Sequence, residues 1–166
     1  YQQMGITPDI MSVAKALGNG LPIGAMLTTE KLAESFVPGT HASTFGGNPV
    51  AAAAAVFVMK TMLEEGFLTE VVKKGEYFSS RLDGLAQRFP VLASGVRGLG
   101  LIRGLVMTEA GIAKGSDIVK AMFDKGFLMN FAGNAALRFV PPLTVSRDEI
   151  DRIVEALEST LSEFDT

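Results

Sequence analysis

The chain has 166 residues, with 15 Lys and Arg against 18 Asp and Glu, a formal charge of −3, no cysteine and a single histidine. It offers no basic run to neutralise a row of phosphates, so nucleic acid is not an expected partner. Without cysteine there are no disulfides or thiolate metal sites, and one histidine leaves little for a zinc centre, so no metal is expected.

The chain opens on Tyr1-Gln2-Gln3-Met4, with no basic region leading into an apolar one, and reads as an internal start without a secretory signal. Its most apolar stretch, residues 50–59, falls short of the roughly 20 residues of a membrane span and runs directly into Lys60. A soluble protein is expected.

Residues 10–14 and 23–28 are β-like runs separated by a glycine-rich loop with Pro22, which places Lys15 at the end of a strand. A short helical piece follows near residues 31–36, and residues 37–47 have loop composition. Asn48-Pro49 is an N-cap and first-turn signature. Residues 51–63 are apolar on nearly every face until Gly66, which predicts a buried helix. Phe67, Leu68, Val71, Val72, Phe78, Leu82, Leu85 and Phe89 recur at helical spacing with charges between them, predicting a long amphipathic helix closed by Pro90. Beyond it lie a β-like run over residues 96–107, a helix near 117–125, and short strands near 127–131 and 137–140. The final helix follows Ser146, which with Glu149 makes a capping box, and its apolar face is Ile150, Ile153, Val154, Leu157 and Leu161. Residues 90–166 thus read as a small α+β domain.

Three places carry candidate chemistry. In Ser12-Val13-Ala14-Lys15-Ala16-Leu17-Gly18-Asn19-Gly20, a lysine enters a glycine loop from an apolar strand. In that setting an ammonium can lose water and act as a nucleophilic amine, although most lysines after a strand are solvated ends. Ser43-Thr44-Phe45-Gly46-Gly47-Asn48-Pro49 puts two hydroxyls and two glycines before a helix N-terminus, whose unpaired N–H groups favour an anion such as phosphate. A tight glycine turn into an Asn-capped helix explains the run equally well. His41, just upstream, reads as a surface or hydrogen-bonded loop histidine. Arg138 leaves an apolar strand that stops at Pro141-Pro142, and it suits either a carboxylate side chain or a carboxylate ligand. Arg97 and Arg103 are ambiguous in the same way, and the glycines among them mark close strand packing rather than a dinucleotide loop.

Taken together, Pro8-Asp9-Ile10 through Pro22-Ile23-Gly24-Ala25, the run from Ser43 to Pro49, and Leu137-Arg138-Phe139-Val140-Pro141-Pro142-Leu143 resemble, in order and spacing, the C-terminal part of the class III pyridoxal-phosphate-dependent aminotransferases. The resemblance covers nearly the whole chain. It implies an α/β fold of the type I pyridoxal-phosphate kind: residues 1–66 end the large cofactor domain, 67–89 connect, and 90–166 form the small C-terminal α+β domain. It implies that Lys15 binds the pyridoxal 5′-phosphate aldehyde, is displaced by the amino substrate and then moves a proton. It further implies that Thr44, with Ser43 beside it, reaches the cofactor phosphate of a neighbouring subunit in a homodimer, and that Arg138 grips the α-carboxylate of glutamate or 2-oxoglutarate.

Gly126-Phe127-Leu128-Met129-Asn130, followed by Ala132-Gly133, is similar to the members that transfer the terminal amino group of N2-acetylornithine to 2-oxoglutarate, a step of arginine biosynthesis in the cytoplasm. In that family the aspartate at the pyridine nitrogen, the ring-stacking aromatic and the glycine-rich phosphate turn lie upstream of the residue matching Tyr1. A fragment inactive alone is therefore expected. The rival readings are an ornithine or 4-aminobutyrate aminotransferase, and a non-catalytic C-terminal module that dimerises through an exposed apolar face around residues 50–62.

Overall fold

In the computed structural model, which describes residues 1–133 and 135–165, the chain divides into two units, the first Tyr1–Phe67 and the second from Leu68 onward. The first unit pairs strand β1 (Ile10–Val13) antiparallel with β2 (Ala25–Thr28). A one-turn helix α1 (Glu30–Ala33) and the longer α2 (Pro49–Met62) follow. The expectation that α2 is buried does not hold for this chain: only Ala51 and Ala55 are buried, while Val50, Val56, Phe57 and Met59 are exposed. The apolar residues run round the helix, and the first unit supplies cover for only one narrow stripe of them.

The second unit begins along helix α3 (Phe67–Arg88) and continues through strands β3 (Ala93–Leu99) and β4 (Ile102–Met107), helix α4 (Glu109–Asp124), strands β5 (Asn130–Ala132) and β6 (Ala136–Phe139), and helix α5 (Arg147–Phe164). The strands form one antiparallel sheet in the order β3-β4-β6-β5. Side chains alternate across it. Leu105, Leu137 and Phe139 face the helices, where Phe78 of α3 meets Phe139 edge-on at 5.3 Å. Helix α4 lies on β4, β5 and β6, and Leu157 and Leu161 of α5 complete the core. Thr160, fully buried, is satisfied by donating to the Ala156 carbonyl at 2.8 Å and by accepting from Lys125 Nζ at 2.9 Å.

Three expectations need correction here. The run over residues 96–107 is a hairpin of two strands, because Gly100 takes a left-handed φ of 54° and turns the chain between Leu99 and Ile102. Helix α4 starts at Glu109 rather than near 117, capped by the Thr108 hydroxyl, which accepts from the Gly111 N–H at 3.2 Å. The strand expected near 127–131 is confined to Asn130–Ala132, since the Phe127 N–H closes the end of α4 on the Met122 carbonyl at 2.9 Å.

Candidate active site

Lys15 lies just past β1, with Ala14 between, and opens a short 3-10 turn, Lys15–Gly18. It adopts a left-handed φ of 54°, a conformation that costs a residue with a Cβ about 1–2 kcal/mol and is typical of backbone held for function. The desolvation expected of this lysine is not supplied within residues 1–67, for Lys15 is exposed. It borders an open hollow of about 490 Å³ shaped by Asn19, Leu21, Pro22 and Ile23. An adjoining hollow of about 240 Å³ shares Pro22 and Ile23 and is bordered by Ser43, Gly46 and Asn48. The fold thus brings Lys15 and Ser43 to neighbouring depressions of one unit. The turn between Ser43 and Asn48 is tight: a Cβ on Gly46 would meet the Ser43 Cβ at 2.9 Å.

The N-terminus of α2 differs from expectation. Pro49 has no N–H, and the Asn48 side chain accepts from Val50 at 3.0 Å and Ala51 at 3.2 Å. Ala52 donates within the helix to the Asn48 carbonyl at 2.9 Å. The helix amides are therefore already used, and an anion at this turn falls to the Ser43 and Thr44 hydroxyls and to the loop amides before Asn48. Ser43, Thr44 and His41 are all exposed.

Arg138 belongs to the second unit, on β6, with its guanidinium exposed. Its Nε donates to Asn130 Oδ1 across the strand pair at 3.1 Å. Asn130 is a neutral amide, and among the described residues Arg138 makes no ion pair. Of the two roles open to such an arginine, pairing with a carboxylate side chain is not the one it fills here. Residue type alone does not mark Asn130 as part of the site. Only the strand register, which sets Asn130 directly opposite Arg138, exposes the pair.

Residues 1–161 match the family described as aminotransferase class-III. Acetylornithine aminotransferase of Caldanaerobacter subterraneus subsp. tengcongensis is 45% identical over 164 residues, 99% of this chain and 40% of that protein. The Myxococcus xanthus acetylornithine aminotransferase is 47% identical over 152 residues, 91% of this chain and 37% of that protein. The crystal structure of N-acetylornithine aminotransferase from Stenotrophomonas maltophilia superposes with a TM-score of 0.85 at 31% identity, covering 98% of this chain and 42% of that one. Ornithine delta-aminotransferase of Plasmodium falciparum superposes with a TM-score of 0.87 at 28% identity, covering 99% and 42%. The chain spans about 40% of the length of the curated relatives it matches, and the match is to their C-terminal portion. On the family match and the α/β fold together, this chain belongs to the class-III aminotransferases.

Proposed function

We propose that this chain is the lysine-bearing and carboxylate-binding part of a cytoplasmic aminotransferase that moves the terminal amino group of N2-acetylornithine to 2-oxoglutarate with pyridoxal 5′-phosphate. The observation that carries this reading is Lys15, held in a left-handed backbone conformation beside an open hollow. The donor set suits the cofactor: a primary amine for its aldehyde, and hydroxyls with loop amides for its phosphate. Bound pyridoxal phosphate would supply an electrophilic carbonyl and a ring that withdraws electrons from the substrate carbon.

Lys15 Nζ would hold the cofactor through that carbonyl, a position for which the substrate amino group competes. As a free amine the same Nζ is the base that would hold and move the proton of the substrate carbon. Ser43 and Thr44 donate their hydroxyls to phosphate, Thr44 to that of a neighbouring subunit, so the assembly is a homodimer. Arg138 takes the α-carboxylate of glutamate or 2-oxoglutarate through a two-point guanidinium contact. Alone, the chain does not transaminate, because its residues leave Lys15 solvated.

The first experiment is borohydride trapping. A longer protein carrying this segment, in which Lys15 is covered, is incubated with pyridoxal phosphate, reduced, and mapped by peptide mass spectrometry. The expected result is an adduct on Lys15 that Lys15→Ala abolishes, and equal labelling spread over other lysines would overturn the assignment. The amino donor is tested on a longer protein carrying this segment, with acetylornithine, ornithine and 4-aminobutyrate. A preference for either of the last two would replace the substrate proposed here. Ornithine belongs in that comparison because the ornithine enzyme superposes as well as the N-acetylornithine one.

A further inference from the structure

The sheet of the second unit sets four residues in one cross-strand row: Arg97 on β3 opposite Gly104 on β4, Gly104 opposite Arg138 on β6, and Arg138 opposite Asn130 on β5. Residues paired in this way share a face, here the one opposite Leu105 and Leu137. Strands are spaced at about 4.8 Å, so Arg97 and Arg138 stand about 10 Å apart at their Cα atoms, within reach of a common point for two side chains of this length. Between them lies only a glycine. A Cβ built on Gly104 would come within 3.6 Å of Arg97 Cγ and 3.7 Å of Arg97 Nε, so the Arg97 side chain leans over the glycine.

The result is a cleft of about 240 Å³ bordered by Arg97, Arg103, Gly104, Ala136 and Arg138. Among the described residues its border carries three arginines and no acidic residue. Arg103 donates through one terminal nitrogen to the Gly98 carbonyl at 2.8 Å while its buried Nε has no partner among the described residues, and Arg138 holds Asn130. Among the described residues Arg97 has neither a hydrogen-bond partner nor an ion pair. Cations gathered around a glycine gap with no carboxylate of their own repel one another until an anion enters. Arg97 thus has the placement and the free donors to share whatever Arg138 binds.

We propose that Arg97 is a second carboxylate-holding residue, which brackets with Arg138 one carboxylate group seated over Gly104, and that the absence of a side chain at position 104 keeps the seat open. The inference rests on reading Arg138 as a carboxylate-binding residue and adds to it a partner and a shape. A dicarboxylic or amino acid fits if one end enters the notch and the rest extends away from the sheet.

The test uses the 166-residue chain, labelled with nitrogen-15, and glutarate as the probe, following the Gly104 amide and the arginine Nε signals. The expected result is a saturable shift at Gly104, with glutarate affinity about ten-fold weaker in Arg97→Gln, the loss expected for one charge-assisted contact. Arg97→Lys should fall between, since it keeps the charge and loses the fork. Gly104→Val should lose the shift at its neighbours with both arginines present, and Lys120→Gln, an exposed cation on α4, should bind as the parent does. If Arg138→Gln abolishes binding while Arg97→Gln stays within about two-fold of the parent, Arg97 is not part of the seat and the reading of Arg138 stands. If Arg138→Gln binds like the parent, the reading of Arg138 fails and this inference with it. The absence of any saturable shift in the parent chain overturns the two-arginine seat whatever the trapping at Lys15 shows.

Discussion

Ser146 and Glu149 illustrate chemistry that a short stretch of sequence fully specifies. The Ser146 hydroxyl accepts from the Glu149 N–H at 3.2 Å, and Glu149 Oε2 accepts from the Ser146 N–H at 2.7 Å and from its hydroxyl at 2.9 Å. Ser146→Ala is expected to lower unfolding free energy by about 1 kcal/mol, read from urea denaturation at neutral pH, and no change would show that the cap contributes nothing. The Ser146 backbone N–H and then its hydroxyl hold the Glu149 carboxyl below the ordinary range. A depressed folded value means that the stabilisation is present above the unfolded glutamate pKa, about 4.3, and is lost as pH falls through the lower folded value. Glu149→Gln should therefore destabilise the chain at neutral pH, and the gap from the parent should close in acid. A gap that persists unchanged at the lowest pH would contradict this. Both partners sit within one helical turn, which is why the motif is legible. The row from Arg97 to Asn130 is not, because it depends on the register of four strands, and the left-handed φ of Lys15 has no signature in residue type.

Helix α4 shows how packing overrides propensity at the scale of an element. Gly111 and Gly115 hid its first half, since glycine disfavours helix interiors by about 1 kcal/mol relative to alanine. They are there for close approach: a Cβ on Gly111 would fall 2.0 Å from the Leu92 carbonyl oxygen, and one on Gly115 2.7 Å from the Phe131 ring. Gly111→Ala is thus expected to destabilise by about 1–3 kcal/mol despite its better propensity, because rigid backbone has to move. Gly84, on the exposed side of α3, has nothing within 4 Å of its would-be Cβ, so Gly84→Ala should stabilise by roughly 0.5–1 kcal/mol. Melting curves of the two variants should move in opposite directions, and a stabilised Gly111→Ala would refute the packing explanation. The amphipathic helices α3 and α5 were readable because each presents one apolar face with charges on the other. The hairpin β3–β4 was readable as strand but not as two, because its turn falls in a run of apolar and glycine residues with no polar punctuation.

The two units differ in how much of their surface they bury, and this governs the behaviour of the whole molecule. Beyond Leu68, Phe78, Leu82, Leu105, Ile118, Met122, Leu137, Ile150, Leu157 and Leu161 are each under 2% exposed, and they come from three helices and two strands of one core. Between Tyr1 and Phe67 the buried apolar residues are Ala51 and Ala55, while Phe45, Phe57 and Leu63 are 83%, 71% and 76% exposed. A two-stranded ribbon is marginal by itself in water, and α2 buries too little apolar area to offset the entropy of ordering it. Local opening should therefore be nearly free in β1, β2 and α1, and should approach the global unfolding free energy in α3, β4, β6 and α5. Amide hydrogen exchange is expected to show complete early labelling across residues 1–60 and slow labelling in those four later elements, and brief proteolysis should leave a resistant core starting within α3. Slow exchange in β1 and β2 would mean that another apolar surface, such as a second copy of the chain, covers the first unit in solution. Repeating the exchange after dilution would separate the two cases, since protection that comes from association fades as concentration falls, whereas protection intrinsic to the unit does not.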